Sequence, residues 1–132
     1  MAVNFTKISK NQYDSLIEKA KFGSVFIAEI DGNTIKNQDE YLSEIWKAFR
    51  FPQTGHINFY AYLDWIRDLD WINEAQFALV IHNFDKLLAQ APKDREIVIN
   101  SLDKTIIPWW KGEIEHYQVG GKAKPFYVFL VD

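Results

Sequence analysis

The chain contains no cysteine, which excludes a disulfide framework and a thiolate site and leaves no sign of an oxidising compartment. No stretch approaches the roughly eighteen consecutive apolar residues of a membrane span. The opening MAVNFTKISK likewise lacks the apolar run of a signal peptide. The expectation is a soluble, cytoplasmic protein with no membrane partner. Glycine is scarce, and the one adjacent pair, Gly120-Gly121, lacks the spacing of either nucleotide fingerprint. His56, His82 and His116 are dispersed, with no pair at helical spacing, so neither a metal site nor a cofactor is expected. Positive charge is not in excess either. The formal net charge is −3, and from Glu29 to Asp70 eight acids face four Lys and Arg residues. That balance argues against a nucleic-acid partner and favours a basic protein. No nucleophile and base pairing can be read, so the chain is not expected to be an enzyme. Asp64 and Asp68 stand one helical turn apart, but acid and base catalysis needs environments that split two pKa values, which an exposed stripe does not offer.

What is present is apolar surface in quantity. Hydrophobic residues make up 48% of the 132 and aromatics 16%, enough for one domain with a real core and more Trp and Tyr than packing alone tends to use. Ser9 or Asn11 caps a helix whose face is Tyr13, Leu16, Ile17 and Ala20, and Gly23 stops it. Three short apolar runs read as buried strands: Ser24 to Ile30, Phe77 to Ile81 and Phe126 to Val131. Between the first two, Asn37 opens a helix whose apolar face is Tyr41, Leu42, Ile45, Trp46 and Phe49, and Asn58 caps a second one running to about Trp71. Pro92 ends an irregular stretch after the second strand. A helix then opens at Lys93 or Asp94, with a kink or break expected near Thr105 to Ile107 because Pro108 removes a backbone donor. At least one ring of Trp109-Trp110 is expected in the core. Helical crossovers between short strands make a parallel sheet. The expected class is therefore α/β, one domain over residues 1–132, with three parallel strands packed by helices and residues 1–22 as an N-terminal helical extension.

The stretch from Phe51 to Trp71 organises the rest. Phe59, Tyr62, Leu63, Ile66 and Leu69 recur at the offsets of a helix lying on a core. Tyr60, Asp64, Asp68 and Trp71 form a second, acidic and aromatic stripe. Two readings of that stripe are open: a surface meant to be covered by a partner, or merely wetter core.

From Ile30 onward the chain resembles the barstar family, small intracellular inhibitors of ribonucleases similar to barnase. The resemblance is carried by IDGNTI, Phe51-Pro52, Asn58 followed by Ala61 and Asp64 at the spacings of the family motif, then IRDL and FALVI. It implies a three-stranded parallel sheet packed by helices. It also implies a protein inhibitor or immunity protein that occludes the active site of a basic RNase or toxin nuclease, with acids imitating substrate phosphates. The resemblance puts Thr54, His56, Tyr60 and Asp64 at family contact positions, and the stripe adds Asp68 and Trp71 to the expected partner-binding residues. The sequence departs from the family pattern at several of them. The aromatic pair after the proline falls on Thr54 and Gly55, the glycine on His56, and the acid that most strongly engages the nuclease on Tyr60. Tyr60 can stack or donate a hydrogen bond but cannot supply a carboxylate's charge. The alternative reading is an interaction module of the same fold with a non-nuclease partner. Glu113 and Glu115 are candidates for further contact acids by position only.

Overall fold

A computed structural model describes residues 3–52 and 57–131. The strands β1 (Phe5–Lys7), β2 (Phe26–Asp31), β3 (Phe77–His82) and β4 (Phe126–Val131) make one parallel sheet in the order β1-β4-β3-β2. The three expected strands are present with small shifts in their ends. The fourth, β1, is new. A three-residue strand at a sheet edge carries too little pattern to be read, and only its tether marks it: the buried Asp103 accepts hydrogen bonds through Oδ1 from Asn4 N at 2.8 Å and Asn4 Nδ2 at 3.1 Å.

Side-chain alternation assigns the two faces of the sheet. Phe26, Ala28 and Ile30 of β2, Phe77, Leu79 and Ile81 of β3, and Phe126 and Val128 of β4 join one core with Tyr41, Ile45, Phe49, Tyr62, Ile66, Leu102 and Ile106. On the other face, Ala78 and Val80 are also fully buried. Burial on both sides is why β3 reads as an unbroken apolar run. That second face is where α1 (Lys10–Lys21) docks: Tyr13 donates its hydroxyl hydrogen bond to Glu29 Oε1 at 2.6 Å, and His82 Nε2 lies 2.7 Å from the same oxygen. Ser9 caps α1 in a reciprocal box with Gln12.

Asn37 caps α2 (Gln38–Ala48) and Asn58 caps α3 (Phe59–Ile66), each side chain accepting from the backbone N–H three residues on. Pro92 does not stand before the next helix but is its first residue. A fixed φ suits that place, where no intrahelical donor is needed, and α4 runs over Pro92–Asn100. The helical path then continues through two wide π-type segments, Ser101–Ile106 and Trp109–Glu113. Pro108 sits between them at ordinary helical angles, φ −61 and ψ −35. The expected break at Thr105 to Ile107 is thus absent, because the widened ladder takes up the missing donor. The break comes at Gly112, φ 177 and ψ −22, before the short α5 (Ile114–Tyr117). No helix among the described residues is long and apolar enough to cross a membrane.

Candidate functional site on α3

A chain of buried hydroxyls fixes how α3 is rotated. Tyr62 Oη lies 2.8 Å from Tyr41 Oη and 2.9 Å from Ser101 Oγ, and Ser101 donates onward to the Val98 carbonyl at 2.7 Å. The three hydroxyls knit α2, α3 and the long helix together. Burial pushes the Tyr62 hydroxyl up to about 12 and Tyr41 well above its ordinary value, so both remain neutral donors. The rotation turns Tyr62 and Ile66 fully inward and leaves Phe59 and Leu63 half-buried at the flanks, where the offsets alone put all of them on the core side.

The opposite side of α3 carries Tyr60, 81% exposed, and one turn later Asp64, whose side chain is also 81% exposed. Two members of the expected stripe therefore share an open face. The other two do not continue it, because α3 ends at Ile66 and Leu69 takes a left-handed conformation, φ 51. That turn swings Trp71 back over the body of the protein. Its indole N–H donates to the Phe49 carbonyl at 2.9 Å, and its ring meets Phe51 and Trp65 edge-on. Trp71 thus supports the fold from a half-buried position. Asp68 is half-buried too. Burial, helped by the charge of Asp70, raises its pKa above the ordinary carboxylate value, and a hydrogen bond from the Asp70 backbone opposes the rise. Thr54 and His56 lie outside the described residues.

Beside Asp64 the structure brings in residues that the sequence did not single out. Arg67 donates from Nε to the Leu63 carbonyl at 3.0 Å, lies 5.4 Å over the Trp109 ring, and reaches to 3.6 Å from Asp64. Trp109 donates its indole N–H to the Arg67 carbonyl at 2.8 Å. Together with Asp68 and Gln118 they line a shallow hollow of about 230 Å³. Trp110 is the core ring of the pair, with its indole N–H on the Ile66 carbonyl at 3.0 Å. Of the two acids picked by position, Glu115 holds the Ala123 backbone N–H at 2.9 Å, while Glu113 is exposed. Nothing in local spacing announces the hollow, since its walls come from chain segments some forty residues apart. Among the described residues no three His, Asp or Glu side chains converge as a metal site would require.

The model of one protein family, Barstar (barnase inhibitor), matches residues 25–131. No match was found among curated proteins or solved structures. The matched span takes in β2, β3, β4 and every helix from α2 onward, and leaves β1 and α1 outside it. Both the parallel sheet packed by helices and the Asn58-capped helix that bears Asp64 lie within that span, and the chain belongs to the barstar (barnase inhibitor) family.

Proposed function

We propose that this chain inhibits a basic ribonuclease or toxin nuclease by laying the Tyr60 and Asp64 face of α3 over its active site, as an immunity protein does inside the cell. Members of the family are inhibitors of ribonuclease, not enzymes. The observation that carries the reading onto these residues is the open carboxylate of Asp64 on a helix whose back is pinned by Tyr62 and Ile66. An acid on a pinned helix needs little backbone ordering on binding, and a nuclease cleft built to hold phosphates presents the Lys, Arg or His side chains that such an acid would pair with. Asp68 and Asp70 add to the field that steers a cationic partner. Thr54 and His56 enter the proposal only as contacts that the family resemblance implies.

Tyr60 supports a second reading. It occupies the place of the acid that the family resemblance ties most closely to the nuclease, so the surface has lost a charge and gained an aromatic ring. An interaction module with a non-nuclease partner would have no need of that acid. The deciding experiment is a pull-down with the purified protein, an RNase assay on what it captures, and a titration of wild type, Asp64→Ala and Tyr60→Asp at two salt concentrations. Under the inhibitor reading the captured protein cleaves RNA and is silenced by the wild type. Asp64→Ala should weaken the complex by about 2 to 5 kcal/mol. Tyr60→Asp should extend inhibition towards nucleases of the barnase type. A captured partner that has no nuclease activity and binds all three proteins equally at both salts would leave only the second reading.

A further inference from the structure

We propose that the partner-binding face runs past α3 onto the turn that ends α5, where the ring of Tyr117 is a second anchor that receives an arginine side chain of the partner. This rests on the inhibitor reading above, and it goes beyond that reading in naming a site outside α3 and the chemical group that fills it. Of the six tyrosines, two stand well clear of the surface: Tyr60 and Tyr117, which is 79% exposed. Val119, two residues on, is fully exposed. Exposed apolar residues scattered singly need no explanation, but this pair stands at the border of the hollow beside Asp64, next to Gln118 in its wall.

The Tyr117 ring is held in place before any partner arrives. It stacks on Trp109 at a centroid distance of 6.4 Å and an interplanar angle of 15°, and Trp109 is itself fastened to α3 through the Arg67 carbonyl. The turn beneath is braced as well. Glu115 binds the Ala123 N–H, Gly121 N–H donates to the Gln118 carbonyl at 3.0 Å, and Lys124 N–H donates to the Trp110 carbonyl at 3.1 Å. Gly121 packs so closely that a Cβ there would meet Ile114 at 2.8 Å. A fixed aromatic ring offers contact area at small entropic cost, which is how tyrosine anchors work at interfaces.

Charge complementarity selects the occupant. Asp64 and Asp68 line the hollow beside the stack, and Arg67, the cation lining it among the described residues, is already engaged with Asp64 and the Trp109 ring. An incoming cation therefore meets carboxylates and an aromatic face together. A planar guanidinium can stack on the ring while its N–H groups reach for a carboxylate, which an ammonium does less well. Arg67 over Trp109 shows the same geometry made within the chain.

The test is a binding titration of the captured nuclease against Tyr117→Ala, Tyr117→Phe, Tyr117→Leu, Asp64→Ala and, as a control, Phe22→Ala at another exposed aromatic, outside the family-matched span. Tyr117→Ala should weaken binding by about fivefold or more. Tyr117→Phe should retain most of the affinity and Tyr117→Leu should not, because it keeps apolar area but loses the π face. Phe22→Ala should be silent. If Asp64→Ala weakens binding and Tyr117→Ala does not, the α3 reading stands and the second anchor falls. If neither weakens it, both fall. A Tyr117→Leu variant that binds like wild type would overturn the arginine assignment, and an equal loss at Phe22 would show that the Tyr117 effect is not local.

Discussion

Asp68 and Asp31 are two carboxylates whose surroundings pull in opposite directions, and they make a test of the local geometry that needs no partner. For Asp68, burial is the largest influence and raises the pKa, with Asp70 adding to it. A carboxyl whose folded pKa exceeds its unfolded value gives its full stabilisation below the unfolded pKa and loses it as pH rises through the folded one. Asp31 is the reverse case. Hydrogen bonds from Asn83 Nδ2 and the Asn33 N–H, each 2.9 Å to Oδ1, hold its pKa down, so its contribution exists above the unfolded pKa and is lost as pH falls through the folded one. Thermal melts should show Asp68→Asn more stable than wild type at neutral pH and Asp31→Asn less stable, with both differences shrinking in acid. A neutral-pH loss for Asp68→Asn would mean that the fold stabilises its charge and that burial is not the dominant influence on it. At this scale the sequence was informative where a side chain obeys helical spacing, as Tyr60 and Asp64 do. The same spacing put Trp71 on that stripe, but its direction depends on a left-handed leucine at position 69 that no residue preference signals.

Among the elements, α3 shows how a helix can be legible in type and still be misread by part of a turn. Its hydrophobic offsets fit a core-facing helix, but the buried hydroxyl chain from Tyr41 through Tyr62 to Ser101 settles the angle, and those partners come from distant parts of the sequence. Ile66→Ala should therefore cost roughly 2 to 5 kcal/mol, whereas Leu63→Ala, half-buried, should cost clearly less; urea unfolding of the two variants gives the order directly. The helix α1 presents the contrary case. It buries none of its residues fully, and its docking leans on the hydrogen bond from Tyr13 to Glu29, which is also the main reason the Tyr13 hydroxyl is pushed up to about 12. Tyr13→Phe should loosen α1 alone, read as faster hydrogen exchange of its amides with those of β3 unchanged. Uniform acceleration across both elements would show that α1 unfolds only with the whole. The strands β2, β3 and β4 were legible because burial makes them continuous apolar runs. The edge strand β1 and the π-widened path through Pro108 were not, since both depend on contacts made after the chain has folded.

For the whole molecule, the division between the family-matched span and the segment before it raises a physical question about what that segment does. The core face of the sheet is built from α2, α3, the long helix and the inward residues of β2, β3 and β4, all inside residues 25–131. The other face and the free side of β4 depend on residues 3–22. Phe5, Thr6 and Lys7 pair with Val128, Phe129 and Leu130 along that side, and α1 lies over the face that holds Val80 and Phe129. A chain starting at Ser24 would keep its core but expose a row of unpaired backbone groups on β4 next to an apolar sheet face, the combination that invites edge-to-edge association. Removal of residues 1–23 should therefore produce a protein whose average mass by light scattering climbs with concentration more steeply than that of the full chain. Tyr127→Lys in the shortened protein should reverse part of the climb, because a charge beside an open edge opposes pairing. Binding to a partner through Tyr60 and Asp64 should survive at concentrations low enough to keep the shortened chain dispersed, since the α3 face is built without the missing segment. If the shortened chain is as dispersed and as heat-stable as the full one, β1 and α1 are not needed to shield the sheet. If it is dispersed and folded but no longer binds, residues 1–23 belong to the interface and the face centred on α3 is incomplete.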